Sequence, residues 1–346
     1  MSAKTWTSWV ACAVLGALSG CSVGYLAQSV GGHWDLVARA KPVDDWMADP
    51  ATPQRLRDRL ALAQRLRRFA IEELRLPDHA SFQRFAQINR PAVIWNVVAA
   101  PELSLEPKTW CFPVVGCVAY RGYFDRDQAA AYAQTLKKEG LEVYIAAVPA
   151  YSTLGKTDWL GGDPLLDTFL YWEEAALARL IFHEMAHPVV FVPGDTAFNE
   201  SFASAVEQLG WSRWWRSTRE QPAPPKDGRL ARQQQALKDL RHTLQEIYSR
   251  PLSDGLRRQA KAAALADFRS LHPEIAPDLL NNASLALRSS YDDGVSAFEQ
   301  LFQDEGQDFD RFYGAVRRWA QLPEDQRRLK LQPRLAATPV SGESRP

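Results

Sequence analysis

The sequence predicts an α+β fold. Two runs rich in β-type residues, 92–99 and 141–148, enclose a stretch with a helix cap at Asp125 and a helix-ending glycine at Gly140. Long segments with helical spacing of apolar residues lie on either side. An order of strand, strand, helix, strand, helix belongs to the α+β class.

The chain has 346 residues, enough for one large domain or two ordinary ones. We expect a single domain over 21–332, made of a helical part (31–84), a sheet-containing part (85–216) and a helical part (229–332). The polar, proline-rich stretch 217–228 links the last two. Lys plus Arg (41) equals Asp plus Glu (41), so no basic field points to nucleic acid. The hydrophobic share of 46% and charged share of 24% are those of a soluble globular protein.

Residues 1–20 stand apart. Lys4 precedes the apolar run Trp9–Leu18, which is too short for a good membrane span and reads as a secretory signal. The four residues Leu18-Ser19-Gly20-Cys21 resemble a bacterial lipobox, which implies cleavage before Cys21 and lipidation of that cysteine. Ser22 stands where an aspartate tends to retain lipoproteins at the inner membrane, so the expected location is the periplasmic side of the outer membrane, with the membrane as a partner through the anchor. Cys111 and Cys117 then remain in an oxidising compartment, and a bridge between them is expected. Two buried free thiols or half a metal site are the alternatives.

From Gly31 to about Gln83 the text is helical, punctuated by Pro42 and Pro53. Leu56, Leu60, Leu62, Leu66, Ile71 and Leu74 fall at helical spacing, and Arg55, Arg57, Arg59, Arg65, Arg67 and Arg68 are expected to form a solvated face. Residues 110–124 read as strand–turn–strand around the cysteines. Further on, 229–250 and 253–271 read as an antiparallel helix pair joined at Pro251. The tail 333–346 is polar, carries prolines and is expected to be disordered.

The chemistry-bearing stretch is His183-Glu184-Met185-Ala186-His187. On a helix, residues four apart share a face, so two imidazoles at this spacing can bind one zinc ion. Glu184, on the neighbouring edge of the turn, can take a proton from a water. A catalytic zinc usually has three protein ligands, and Asn199-Glu200-Ser201-Phe202-Ala203 follows twelve residues later. Thr196 is a candidate cap for the helix that would carry Glu200. Glu207, two turns further, could be an outer partner or a rival third ligand. Pro188 removes a helical hydrogen bond directly after His187, so the helix is expected to end or kink there, and Val189–Pro193 to run extended. His33, His79, His242 and His272 belong to no ligand-spaced cluster.

H-E-x-x-H followed by N-E-x-F-A resembles the gluzincin metallopeptidases, in which a glutamate of a second helix completes the zinc site. Together with GDTAFNESFA, WNVVAAPELSLEPKTWCFPVVGC and VPAYSTLG, the motif resembles a bacterial family of predicted lipoprotein aminopeptidases over roughly residues 43–300. The resemblance implies a gluzincin-like core with a small mixed sheet and a mainly helical C-terminal half. It implies one zinc ion per chain on His183, His187 and Glu200, a peptide substrate, and Glu184 as general base. It also makes Ser152, Thr153, Leu154 and Gly155 candidates for an edge strand that pairs with the substrate, a plain connecting loop being the alternative. Tyr291 is a candidate oxyanion donor, the alternative being a packing tyrosine. The G-x-M-E-N sequence that holds the substrate ammonium in one large aminopeptidase family is absent, so an envelope endopeptidase or short-peptide peptidase stays open. So does a zinc-containing binding lipoprotein without turnover.

Overall fold

The computed structural model describes residues 23–112, 116–150, 162–219, 228–292 and 294–332, with the side chains of 23, 26, 27, 230, 231 and 289–292 excepted. The leader with Cys21, the segment Ser152–Gly155, the tail 333–346 and the Tyr291 side chain therefore lie outside the described residues.

In chain order, α1 (Val23–Arg39) leads through the two-residue strand β1 (Lys41–Pro42) to α2 (Val43–Ala48) and α3 (Gln54–Glu72). There follow β2 (Arg84–Ala86), β3 (Ile94–Pro101), the hairpin β4 (Trp110–Phe112) and β5 (Gly116–Val118), β6 (Arg121–Tyr123), α4 (Arg126–Lys138) and β7 (Leu141–Val148). Next come β8 (Leu165–Leu166), α5 (Glu174–Ala186), a 3₁₀ turn (His187–Val189) and α6 (Thr196–Thr218). The remainder is helical: α7 (Gly228–Ser249), α8 (Asp254–Leu271), a 3₁₀ turn (Pro277–Leu279), α9 (Asn282–Asp292), α10 (Val295–Asp304), α11 (Phe309–Ala320) and α12 (Glu324–Leu331).

The architecture is α+β. The main sheet has the order β6-β3-β7, with β3 antiparallel to both neighbours. Successive side chains of β3 point to opposite faces. Val97 and Ala99 pack with Ala129, Ala133 and Leu136 of α4, whereas Val98 and Ala100 pack with Ala283 of α9. Both faces are thus covered, which explains why 92–99 reads as a nearly continuous apolar run. A smaller mixed sheet has the order β1-β2-β8, antiparallel then parallel. Cys111 and Cys117 are directly opposite in the β4–β5 hairpin and are bridged, with Cα atoms 3.8 Å apart.

Several sequence expectations change. The first described helix already runs from Val23, well before Gly31, so the Gly31-Gly32 pair lies inside it. The arginines of α3 do not form one solvated face. Arg67 is buried and donates to the Ser81 carbonyl at 3.0 Å and to Asp78, while Arg59 donates to the Leu170 carbonyl at 2.7 Å. A guanidinium can satisfy several oxygens at once, so it is held inside where a solvated face was expected. The α6 helix is capped by Asp195, not Thr196. Asp195 Oδ1 accepts from the Phe198 amide at 3.1 Å, and Oδ2 pairs with Arg327 of α12 at 2.8 Å. The α-helix ends before Pro188 as expected, but a 3₁₀ turn over His187–Val189 takes in the first residue of the expected extended run, and Val190 is extended.

The site scaffold is α5 packed antiparallel on α6. Trp214 Nε1 and Arg219, near the end of α6, bond Glu174 at the start of α5 at 2.8 and 3.2 Å. Between and around the two helices, Phe182, Phe198, Phe202, Phe298 and Phe312 are fully buried. Burying side chains of this size contributes roughly 1.5–3 kcal/mol each, so apolar packing is a main contribution to holding this pair of helices together.

Candidate metal centre and cleft

The α5 helix turns Leu177, Ala178, Ile181, Phe182 and Met185 into the core. Its other side presents His183 and His187, one turn apart, with ring centroids 5.0 Å from each other. The α-helix ends at Ala186, and His187 keeps helical angles (φ −53°, ψ −39°) while Pro188 occupies the first turn of the 3₁₀ segment. Proline is tolerated at such a first position because the amide it lacks has no partner to lose. His187 therefore stays in register with His183.

The second helix is brought back by Asn199. Its buried carboxamide donates to the Val192 carbonyl and accepts from the Val192 amide, both at 2.8 Å. This clamp and the Asp195 cap fix the first turn of α6, and Glu200 follows directly. Glu200 Oε2 lies 3.2 Å from His183 Nε2 and 3.9 Å from His187 Nε2. Tetrahedral ligands at about 2.0–2.1 Å from a zinc ion lie about 3.3 Å apart. Candidate ligand atoms of all three residues fall within 4.8 Å of one another, so His183, His187 and Glu200 could hold a metal ion. Two imidazoles and a carboxylate are a donor set suited to zinc.

Electrostatics bind the three together. Burial opposes charge on His183, but hydrogen bonds to Glu200 and Glu207 and the charges of Glu200 and Glu184 hold its pKa well above the usual imidazole value. Burial pushes His187 down to about 4, with the neighbouring His183 also lowering it against the pull of Glu200. Burial raises Glu200, yet the two histidines outweigh it and keep the carboxyl below its ordinary range. These surroundings favour an ionised Glu200 and a neutral His187, the forms that ligate metals, while His183, held charged between Glu200 and Glu207, has to release a proton to do so.

Glu207 settles on the far side of the first ring. Its Oε2 is 3.4 Å from His183 Nδ1, and its Oε1 is 3.5 Å from Arg179 Nη1. A carboxylate on the outer nitrogen fixes the tautomer and aims Nε2 at the metal position. Glu207 is thus placed where it could orient His183, and Glu200 where it could serve as a ligand. Glu207→Ala is expected to weaken divalent-metal binding about 10–100-fold, measured by competition with a chromophoric chelator. An affinity unchanged within about twofold would remove this role.

These residues line a cavity of about 790 Å³ that also takes in Glu184 and Tyr120. Tyr120 comes from the turn between β5 and β6, packed beside Val98, Ala100 and Ala283. Burial, with the charges of Glu200 and Glu184, raises its pKa, so the hydroxyl stays a donor through neutral pH. Sequence reasoning missed Tyr120, because it lies 63 residues before His183 and only the sheet brings it there. The hairpin closes over the same cavity. Gly116 has φ +75° and lies so close to Gly194 that a Cβ would be 2.9 Å from its amide nitrogen. Phe112 and Val118 thereby join the cavity wall. The predicted ligands and Glu184 converge on this cavity. His242 is exposed beside Glu246 and His272 packs on Phe268, both away from it. Asn281 and Asn282 bond backbone carbonyls of Asp278, Pro101 and Glu102.

A family model described as "Putative aminopeptidase" matches residues 24–331. No curated protein and no solved structure matches the chain.

Proposed function

The chain belongs to the family described as "Putative aminopeptidase", and on that footing we propose that it is a zinc-dependent peptidase of gluzincin type that removes residues from peptide N-termini. One observation carries the reading. Three residues of metal-ligating type, from two helical segments, meet at one cavity wall beside a further acidic residue, Glu184.

His183, His187 and Glu200 would hold the ion, and Glu207 would orient His183. A zinc ion there supplies Lewis acidity, which polarises a carbonyl and makes a water acidic near neutral pH. Glu184 takes a proton from the attacking water as its oxygen bonds to the scissile carbon. The same carboxyl returns the proton to the amine nitrogen as the carbon–nitrogen bond breaks. The Tyr120 hydroxyl donates to the carbonyl oxygen as charge gathers on it. Tyr120 is given this role because its side chain lines the cavity, whereas the candidate Tyr291 has its side chain outside the described residues. Tyr120→Phe is expected to lower kcat about 10²-fold with KM little changed, since the bond strengthens only in the transition state. An equal loss in kcat/KM carried entirely by KM would assign Tyr120 to substrate binding instead.

The enzyme would work on the periplasmic side of the envelope, held by a lipid on Cys21 and sorted to the outer membrane. The Leu18–Cys21 sequence and the Cys111–Cys117 bridge support this, because such bridges persist in oxidising compartments. The test of function is a panel of aminoacyl nitroanilides and free-amine peptides given to the zinc-loaded chain. Stepwise release of N-terminal residues, stopped by a chelator, is the expected result. No hydrolysis of any member would overturn the reading.

A further inference from the structure

The N-terminal helix α1 is built into the cleft. Tyr25 and Ser29 line the same cavity as His183 and Glu200. The Tyr25 ring stacks on Phe112 at 5.7 Å and meets Tyr123 edge-on at 5.5 Å, with the Arg121 guanidinium 4.0 Å over it. Gly32 lies against Phe124 so closely that a Cβ would fall 2.2 Å from the ring. Between these two contacts is Gln28.

Among the described residues, strand β6 is at an edge of the sheet and pairs only with β3. Its register puts Trp95 opposite Tyr123 and Val97 opposite Arg121, and the outward-facing backbone groups belong to Gly122 and Phe124. An added peptide strand would take the carbonyl of one and the amide of the other. Gln28 takes both. Its Nε2 donates to the Gly122 carbonyl at 3.2 Å, and its Oε1 accepts from the Phe124 amide at 3.1 Å. The carboxamide thus stands in for the N–H and C=O of one added-strand residue on the edge, and Nε2 is also 2.9 Å from Ser29 Oγ. Gly122 itself lines the cavity, so the occupied edge is a wall of the cleft.

We propose that α1 is the blind end of the cleft, with Gln28 filling the peptide position on β6, and that it limits substrates to one residue before the scissile bond. This rests on the peptidase reading and supplies what that reading lacks, a physical reason for removing single residues. No dedicated ammonium-binding motif is needed if chain extension is blocked.

The test uses full-length, zinc-loaded protein and peptides with one, two or three residues N-terminal to a reduced, uncleavable bond, with binding followed by fluorescence anisotropy. Wild-type affinity is expected to fall about tenfold or more between one residue and two. Two variants dislodge the helix in different ways. Gln28→Ala frees the strand edge, and Gly32→Ala pushes α1 off Phe124. In either one the fall should shrink to about threefold or less, and cleavage of an N-acetylated peptide relative to its free-amine form should rise about tenfold. Should one variant not fold, the other and the wild-type series still decide. Equal wild-type affinity along the series, or wild-type profiles in the folded variants, would overturn the wall and leave the peptidase reading standing. No binding and no hydrolysis of any peptide would overturn both.

Discussion

Replacing Glu184 by glutamine is expected to slow peptide hydrolysis about 10³-fold while leaving the bound metal in place. The amide keeps the size of the side chain and loses the ability to take a proton. A thousandfold loss corresponds to about 4 kcal/mol of barrier, within the range that a positioned general base supplies. Glu184 is not one of the three residues whose ligand atoms cluster, so metal content should not follow the rate. The two readouts together identify the role. A slow variant that has also lost metal would make Glu184 a ligand, and a variant as fast as wild type would sink the hydrolytic mechanism.

The second large effect is expected at Glu200. Glu200→Ala removes the carboxylate from between two histidines, at 3.2 and 3.9 Å. Loss of a direct ligand should exceed the roughly 10–100-fold weakening expected for an outer partner such as Glu207. Metal retention after dialysis should therefore rank wild type, then Glu207→Ala, then Glu200→Ala. The variant should still fold. The helix pair is held by Phe182, Phe198 and Phe202, and His183 can shed its proton once its partner is gone. A Glu200→Ala protein that binds metal like wild type, beside a Glu207→Ala protein that does not, would exchange the two assignments.

Much of this site was legible because its signals are local. Histidines four apart on a helix define their own geometry, and the Asn199-Glu200 pair carries both the clamp and the candidate ligand. The β3 run, the Asp125-capped helix and the facing cysteines are likewise written in short windows. What escaped the sequence depends on distant partners. Asp195 outcompetes Thr196 as the cap, and its second oxygen is held by Arg327, 132 positions away. Arg67 is inside because Ser81, Asp78 and His79 bring oxygens to it. The Gly31-Gly32 pair looks like a helix start, yet Gly32 is there because Phe124 leaves no room for a side chain. Tyr120 and Gln28 reach the cleft only through the sheet and the docking of α1, which no periodicity reports.

The most direct test of the central claim is elemental analysis of the purified soluble chain beginning after Cys21, before and after reloading with zinc. About one zinc per chain is expected, the stoichiometry of a single three-ligand site, lost in His183→Ala and in Glu200→Ala. A folded wild-type chain that holds no zinc even after reloading would contradict the account.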